Sequence, residues 1–250
     1  KDGKYWKNAH QRCRLDTFTL SCERRKEGKR EMIKSVKLSF KVLVNVDPED
    51  ETPDLSEVWF NTTYTVYPDA TVKVENEFLP VYYHAEREMS VPRIGQLFKL
   101  KGALETVDWY GRGPWENYAD RKTSALAGRY RMLVKELAYA YVRPQENGYR
   151  TDVRELTLSS PEGNGMKVTG LPFFCFNAQY APKENYEING KPIRNTIDLK
   201  HEKDVFLNID YGQMGVGGDN SWGNPVHVDY RVLLRNYRFG GFGTGERQVA

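Results

Sequence analysis

The sequence predicts an all-β protein built as a large antiparallel β-sandwich. Apolar and polar residues alternate with a period of two along much of the chain, and no segment has the pattern of a long amphipathic helix. Strands do not alternate with helices, as they do in proteins with a parallel sheet. A chain of 250 residues with 39% hydrophobic residues can bury a core of its own. These observations favour one large β domain.

The predicted strands begin with residues 36–42, where apolar side chains fall on one face and Val44 and Val46 extend that face. Residues 58–66 and 71–78 form the next pair, and Pro68-Asp69 between them predicts a hairpin turn. Further strands are predicted at residues 96–100, 105–110, 155–158, 166–169, 205–209, 227–234 and 237–239. Short helical turns are expected at residues 125–127 and 133–137.

The chain is expected to form a single domain over residues 1–239. The acidic, proline-containing segment 47–54 is interpreted as a solvated loop, because alternation resumes on both sides of it. The glycine-rich residues 240–245 lack alternation, so residues 240–250 are predicted to be a disordered tail or a linker. The opening Lys1-Asp2-Gly3-Lys4 is interpreted as a cut inside a longer chain.

Charge and cysteine usage exclude several classes of protein. The net charge is +3, and both signs are interspersed, which argues against a nucleic-acid partner. No apolar run is long enough for a transmembrane helix, and no signal peptide is visible. Cys13 and Cys22 could pair if they lay on adjacent strands, but free thiols are favoured for these and for Cys175. No cysteine or histidine has the spacing of a metal site.

Three polar segments punctuated by glycine stand out from the strands: residues 109–121, 143–148 and 214–223. In the third, Gly215, Gly217 and Gly218 are expected to permit a sharply folded loop by adopting positive φ. Trp222 ends this loop. Two interpretations are open for it: a flat surface for a sugar ring, or a buried anchor whose N–H is bonded to the backbone.

The loops also contain carboxylates. A retaining glycosidase needs two of them about 5–5.5 Å apart. Pairing with arginines or backbone N–H groups is favoured for each candidate instead, so that they hold the loops rigid. The candidates are Glu116, Asp120, Glu146, Asp152 and Asp219.

Taken together, these segments and Pro92-Arg93-Ile94-Gly95 resemble the β-galactosidase small chain, the C-terminal domain of large family-2 glycoside hydrolases. The resemblance runs from about residue 5 to residue 239 and rests on motifs in a fixed order. These are Gly113-Pro114-x-Glu116-Asn117-Tyr118-x-Asp120-Arg121, then Pro144-Gln145-Glu146-Asn147-Gly148, then Met214-Gly-x-Gly-Gly-Asp219-x-Ser221-Trp222. The family's upstream segment Arg-Ala-Pro-x-Asp-Asn-Asp is absent, which implies an N-terminal truncation.

The resemblance implies an antiparallel supersandwich like that of galactose mutarotase. It places the catalytic carboxylates and the Mg and Na sites on a TIM-barrel domain of the same polypeptide or of a large subunit. This chain would then have no catalytic residue, metal or cofactor of its own. Trp222 would stack on the substrate sugar, with Asp219 and Ser221 beside it. The scaffold of the loops would consist of Glu116, Asn117, Asp120, Arg121, Glu146 and Asn147.

The function implied by the resemblance is that of a domain in a β-galactosidase that hydrolyses terminal non-reducing β-D-galactosides with retention. The parent would be a soluble homo-oligomer of bacterial type, in the cytoplasm or the periplasm, and the isolated chain would be inactive. One alternative is a stand-alone carbohydrate-binding module that uses Trp222, Trp115 and Tyr110. Another is a mutarotase-like epimerase, in which Glu146 would act with His201 or His227.

Overall fold

Antiparallel strands make up most of the protein. The computed structural model of the chain describes residues 6–45, 57–81, 89–220 and 222–247. Its strands are β1 (Cys13–Glu27), β2 (Arg30–Asn45), β3 (Glu57–Val66), β4 (Val72–Pro80), β5 (Ser90–Val91), β6 (Arg93–Leu100), β7 (Thr106–Gly113), β8 (Leu126–Leu133), β9 (Arg150–Ser159), β10 (Asn164–Gln179), β11 (Glu187–Ile188), β12 (Lys191–Pro192), β13 (Val205–Gln213), β14 (Val232–Leu233) and β15 (Tyr237–Arg247). The α-helix α1 (Val134–Leu137) is a single turn. Short 3-10 helices lie at Ala9–Gln11, Lys183–Tyr186, Thr196–Asp198 and Val228–Tyr230.

One sheet of eleven strands dominates the fold. Its main path runs β1-β2-β3-β4-β15-β10-β9-β7-β8, and a branch runs from β10 to β13 and then to β6. Two-stranded sheets are formed by β11 with β12 and by β14 with β5. The pairings of all these strands are antiparallel, which confirms the predicted all-β class. In the part of the chain that the structure describes, each helix is too short or too polar to cross a membrane.

The branch at β10 folds the sheet into two layers. Residues 164–170 of β10 pair with β15, whereas residues 175–179 pair with β13. Gln96 on β6 donates from Nε2 to the Tyr64 hydroxyl on β3 at 3.0 Å. The branch formed by β13 and β6 therefore packs against the part of the main sheet that contains β3. An apolar cavity of about 310 Å³ is lined from both parts of the sheet, for example by Val74 on β4 and Phe98 on β6. The predicted antiparallel sandwich is therefore confirmed.

The main hydrophobic core lies beneath β7, β9, β10 and β13. It is built from buried side chains such as Leu156, Phe176 and Leu207, and Trp109 belongs to the same cluster. The indole of Trp109 packs 5.9 Å from the ring of Phe176, and its Nε1 donates to the carbonyl of Arg112 at 2.9 Å. This contact ties the core to the first of the three polar segments.

The glycine-rich tail is the main correction to the predicted fold. Residues 240–247 continue β15, which pairs with β4 on one side and β10 on the other. Glycines give no apolar alternation, but their lack of a side chain is what this position requires. A Cβ added to Gly240 would lie 2.1 Å from the carbonyl oxygen of Val74, well inside contact distance. Residues 248–250 lie outside the described residues.

Other differences are local. Strand β1 was not predicted; every residue of it is exposed, so it has no buried face to mark it. Cys13 and Cys22 lie on this one strand and are free, as Cys175 is. Residue 125 lies in a bend and residues 126 and 127 begin β8, so no helical turn forms there. The turn predicted at 133–137 is confirmed by α1. The strand predicted at 227–234 is a 3-10 turn followed by the short β14. The predicted loop 47–54 lies outside the described residues.

Candidate functional site

The glycine loop, residues 214–223, leaves the end of β13 and is anchored through its backbone at its first two residues. The N–H of Met214 donates to the carbonyl of Pro92 at 3.0 Å, and the N–H of Gly215 donates to the carbonyl of Tyr230 at 2.8 Å. Pro92 belongs to a segment distant in sequence, whereas Tyr230 belongs to the 3-10 turn that follows the loop. The base of the loop is therefore fixed to the body of the domain.

Asp120 holds the middle of the glycine loop. Its two carboxylate oxygens accept from the N–H groups of Val216, at 3.2 Å, and Gly217, at 2.7 Å. A Cβ on Gly215 would lie 2.4 Å from the Asp120 carboxyl carbon. Positive φ, the predicted reason for the glycines, occurs at Gly223 but at none of Gly215, Gly217 and Gly218. The first two glycines instead make room for the carboxylate.

The indole of Trp222 projects from this loop into solvent. It is 91% exposed, which contradicts the interpretation of Trp222 as a buried anchor. Its backbone N–H donates to Oδ1 of Asn220 at 2.9 Å. Asp219 Oδ1 lies 2.8 Å from His227 Nε2, and both side chains are exposed. Ser221 lies outside the described residues. Contact of Trp222 and Asp219 with a sugar stays a prediction.

Glu116 joins two of the polar segments. One of its oxygens accepts from Arg121 Nη2 at 2.7 Å and from the hydroxyl of Tyr141. The other accepts from the N–H of Gly148 at 2.7 Å. With these partners, Glu116 links the first segment to the second.

Two buried asparagines fix the backbone around Glu116. Asn117 Oδ1 accepts from the N–H and the hydroxyl of Thr151, at 2.9 and 2.6 Å. Asn147 Oδ1 accepts from the N–H of Tyr139 at 3.0 Å and from Gln179 Nε2 at 2.9 Å. In these loops, side-chain amide oxygens accept hydrogen bonds from backbone N–H groups that have no partner in a helix or sheet. The buried backbone is therefore hydrogen-bonded without regular secondary structure.

Arg150 is a structural residue whose partners differ from the predicted ones, since the arginines were expected to bind the loop carboxylates. Its side chain is buried, and its guanidinium donates to the carbonyls of Leu137, Gly148 and Pro114 at 2.8–3.2 Å. Burial lowers the pKa of Arg150 to about 10, so the group remains protonated at neutral pH. A lone arginine at the start of a strand carries no sequence signal for such a role.

Glu146 and Asp152 complete the set of candidate carboxylates. Glu146 accepts from Asn177 Nδ2 at 3.4 Å and lies 3.8 Å from Lys183 Nζ. Asp152 lies 2.6 Å from Arg112 Nε and 3.0 Å from Lys122 Nζ. The described contacts of the candidate carboxylates are thus to cations, polar side chains and backbone N–H groups. Among the described residues, no group of three or more His, Cys, Asp and Glu side chains is placed to hold a metal.

Replacing Asp120 with alanine is expected to loosen the glycine loop. The N–H groups of Val216 and Gly217 should exchange with solvent about tenfold faster or more, since hydrogen bonds to a charged acceptor contribute about 1.5–3 kcal/mol. Hydrogen exchange followed by mass spectrometry measures this. The amides of β13 serve as the internal control and should keep their protection. Equal exchange in both proteins would mean that Asp120 does not anchor the loop.

Comparison with known proteins gives a consistent family. Residues 1–241 match the model of the beta galactosidase small chain. A β-galactosidase of Priestia megaterium is 39% identical over 176 residues, which is 70% of this chain and 16% of that protein. A β-galactosidase of Alteromonas mediterranea is 30% identical over 218 residues, 80% of this chain and 20% of that protein. The matched segments thus span about a sixth to a fifth of these relatives. A solved galactose mutarotase related enzyme of Lactobacillus acidophilus aligns over 92% of this chain and 74% of its own, with 10% identity and a TM-score of 0.38.

Proposed function

Because the chain belongs to the beta galactosidase small chain family, we propose that it is the C-terminal domain of a β-galactosidase and forms one wall of that enzyme's active site. The parent would hydrolyse terminal non-reducing β-D-galactosides with retention. The catalytic carboxylates, together with any Mg and Na, would belong to a barrel domain of the same polypeptide or of a large subunit.

One observation carries the proposal: an indole that is almost fully exposed stands at the end of a loop whose base and middle are fixed. Covering the apolar surface of an exposed tryptophan contributes about 1–2 kcal/mol of favourable free energy to binding. The apolar face of a galactose ring has the size and shape to do so. Asp219 belongs to the same loop and is exposed, so its carboxylate can accept hydrogen bonds from hydroxyl groups of the sugar.

The contacts of the candidate carboxylates support the second half of the proposal. Glu116 already accepts from Arg121, Tyr141 and Gly148, and both oxygens of Asp120 accept from the glycine loop. A general acid and a nucleophile need carboxylates that face the scissile bond. These carboxylates face the domain's own loops. We therefore assign Glu116, Asp120 and their neighbours Asn117, Arg121, Glu146 and Asn147 to holding the wall in shape.

The epimerase alternative is not supported, because the structure does not bring its acid and base residues together. Glu146 lines a polar cavity, but neither His201 nor His227 is among the described residues that line it. His227 is exposed and pairs with Asp219. The stand-alone module that uses Trp222, Trp115 and Tyr110 gains no support, because none of the described ring contacts joins these three side chains.

Replacing Trp222 with alanine is expected to raise the KM for a β-galactoside about 5- to 30-fold, the equivalent of about 1–2 kcal/mol of lost stacking. The assay uses the protein that carries this domain together with its catalytic domain. Trp115, which is also exposed but lies in the first polar segment, provides the matched control. Trp115→Ala should leave the KM unchanged.

An unchanged KM in Trp222→Ala would remove this side chain from the substrate site. The 250-residue chain by itself is expected to leave a chromogenic β-galactoside intact. Turnover by the purified chain, absent from a mock purification, would overturn the assignment of catalysis to another domain.

A further inference from the structure

The polar cavity that Glu146 lines lies on the sheet face formed by β6, β10 and β13. Its volume is about 680 Å³, within the range of small-molecule sites, and no described residue of the glycine loop lines it. Alternation along β13 produces this face: Asn208 and Asp210 line the cavity, whereas Leu207 belongs to the hydrophobic core on the other side. Asn177 on β10 pairs with Asn208 and extends the polar surface.

Asp210 forms the floor of this cavity and is not fully bonded. Its side chain is 1% exposed, and its Oδ2 has no hydrogen-bond partner among the described residues. The nearest cation is Arg93, whose Nε lies 3.7 Å away. Gly95 pairs with Asp210, and a Cβ there would lie 1.9 Å from Asp210 Oδ1, so the glycine leaves room for the carboxylate. The buried hydroxyl of Tyr149, which also has no partner among the described residues, lies near this carboxylate and can donate one hydrogen bond to it. A carboxylate oxygen has room for a further donor from the cavity.

The charges around the floor compensate one another. Arg93 lies beside Asp210 and donates from Nη2 to Asn208 Oδ1 at 2.9 Å. Lys183 lies 3.8 Å from Glu146, at the side of the cavity. Each cation therefore has a carboxylate near it, so the cavity has no excess positive charge to select an anion. Because both ion pairs are longer than a hydrogen bond, their oxygens retain the capacity to accept from hydroxyl groups.

The polar groups and the charges of the cavity together indicate the chemical class of its ligand. The carboxylates accept hydrogen bonds, Arg93 donates them, and the amides of Asn177 and Asn208 can do both. Trp6 and Phe206 add apolar surface to the lining. We propose that this cavity is a second carbohydrate site, which binds a neutral polyhydroxylated ligand of monosaccharide size independently of Trp222.

The test is a titration of the 250-residue chain with D-galactose and D-glucose, followed by two-dimensional NMR of backbone and side-chain amides. The proposal predicts shifts at Asn177, Asn208 and the neighbouring backbone of β6, with a dissociation constant in the millimolar range, about −4 kcal/mol. Asp210→Asn should weaken binding of the preferred sugar at least tenfold. Trp222→Ala should leave these shifts and the dissociation constant unchanged.

Asp210 is buried, so its variant could fail to fold; Lys183→Met changes a half-exposed side chain of the same cavity and keeps the test decisive. It should weaken binding severalfold while the thermal unfolding curve stays the same. The proposal is overturned if shifts map only to the glycine loop, if none occur up to ~0.1 M sugar, or if inorganic phosphate binds the cavity more tightly than both sugars. Loss of the shifts in Trp222→Ala would also overturn it. None of these results alters the KM test of Trp222 in the complete enzyme.

Discussion

Deleting residues 240–250 is expected to abolish cooperative folding of the domain. The deletion removes most of β15, whose residues pair with β4 on one side and with β10 on the other. Without it, both neighbours would expose unpaired N–H and C=O groups, and the two halves of the sheet would lose their main junction. Far-ultraviolet circular dichroism and urea unfolding measure the outcome. A disordered tail would instead leave the unfolding curve unchanged.

A glycine series in β15 tests the same strand without deleting it. Gly240→Ala should lower the free energy of unfolding by about 3 kcal/mol, because the new Cβ would force β4 and β15 apart. Gly243 is the matched control: its Cβ would meet its nearest neighbour at 3.9 Å, an ordinary contact. Gly243→Ala should therefore be neutral or slightly stabilising. Equal effects of the two substitutions would mean that close approach at Gly240 is not required.

Replacing Arg150 with methionine is expected to lower the free energy of unfolding by about 3–5 kcal/mol. Methionine fills a similar volume, but the carbonyls of Pro114, Leu137 and Gly148 lose their shared donor in a place that water does not reach. Leaving buried acceptors without partners is more costly than the loss of one exposed ion pair. Urea unfolding of the variant measures the difference.

Arg121→Met is the control for this change. Arg121 is half-exposed and pairs with Glu116, so its loss should cost about 1 kcal/mol or less. If the two arginine variants were equally stable, the three carbonyl contacts of Arg150 would not determine the stability of the loops. A drop in stability confined to Arg150→Met would identify it as the residue that joins α1 to the first and second polar segments.

The strands that could be predicted are those with one apolar and one solvated face. Residues 105–110 are an example, because along β7 buried residues alternate with partly exposed ones. β1 was missed since both its faces are exposed, and residues 240–247 were missed since glycine carries no pattern. Alternation of apolar and polar residues arises only when one face of a strand is buried and the other is exposed. A strand whose two faces are equally exposed therefore cannot be predicted from this pattern.

In the candidate site and the polar cavity, too, only some of the residues could be predicted from the sequence. The motifs located the three polar segments and Trp222, because glycine-punctuated polar runs interrupt the strands visibly. The roles of three other residues were not predicted: Arg150 was considered only as a partner of the loop carboxylates, and Arg93 only as part of a family motif. Asp210 alternates with apolar residues, a pattern that predicts a side chain facing solvent. In β13 the polar face is buried as well: Asn208 and Asp210 are covered by other segments of the chain. Only the packing of distant segments reveals that difference.

The position of β15 also bears on the order in which the domain assembles. Tyr237 pairs with Phe78 and Gly170 with Gly241, so the last described strand closes contacts with partners made much earlier in synthesis. Closing such long loops is entropically costly and slow. During translation, β4 and β10 must wait with open edges until residues up to Arg247 have left the ribosome. A chain whose synthesis stopped shortly before this point would expose two unpaired strand edges. Such edges are prone to aggregation, so we expect chaperones to bind this incomplete chain.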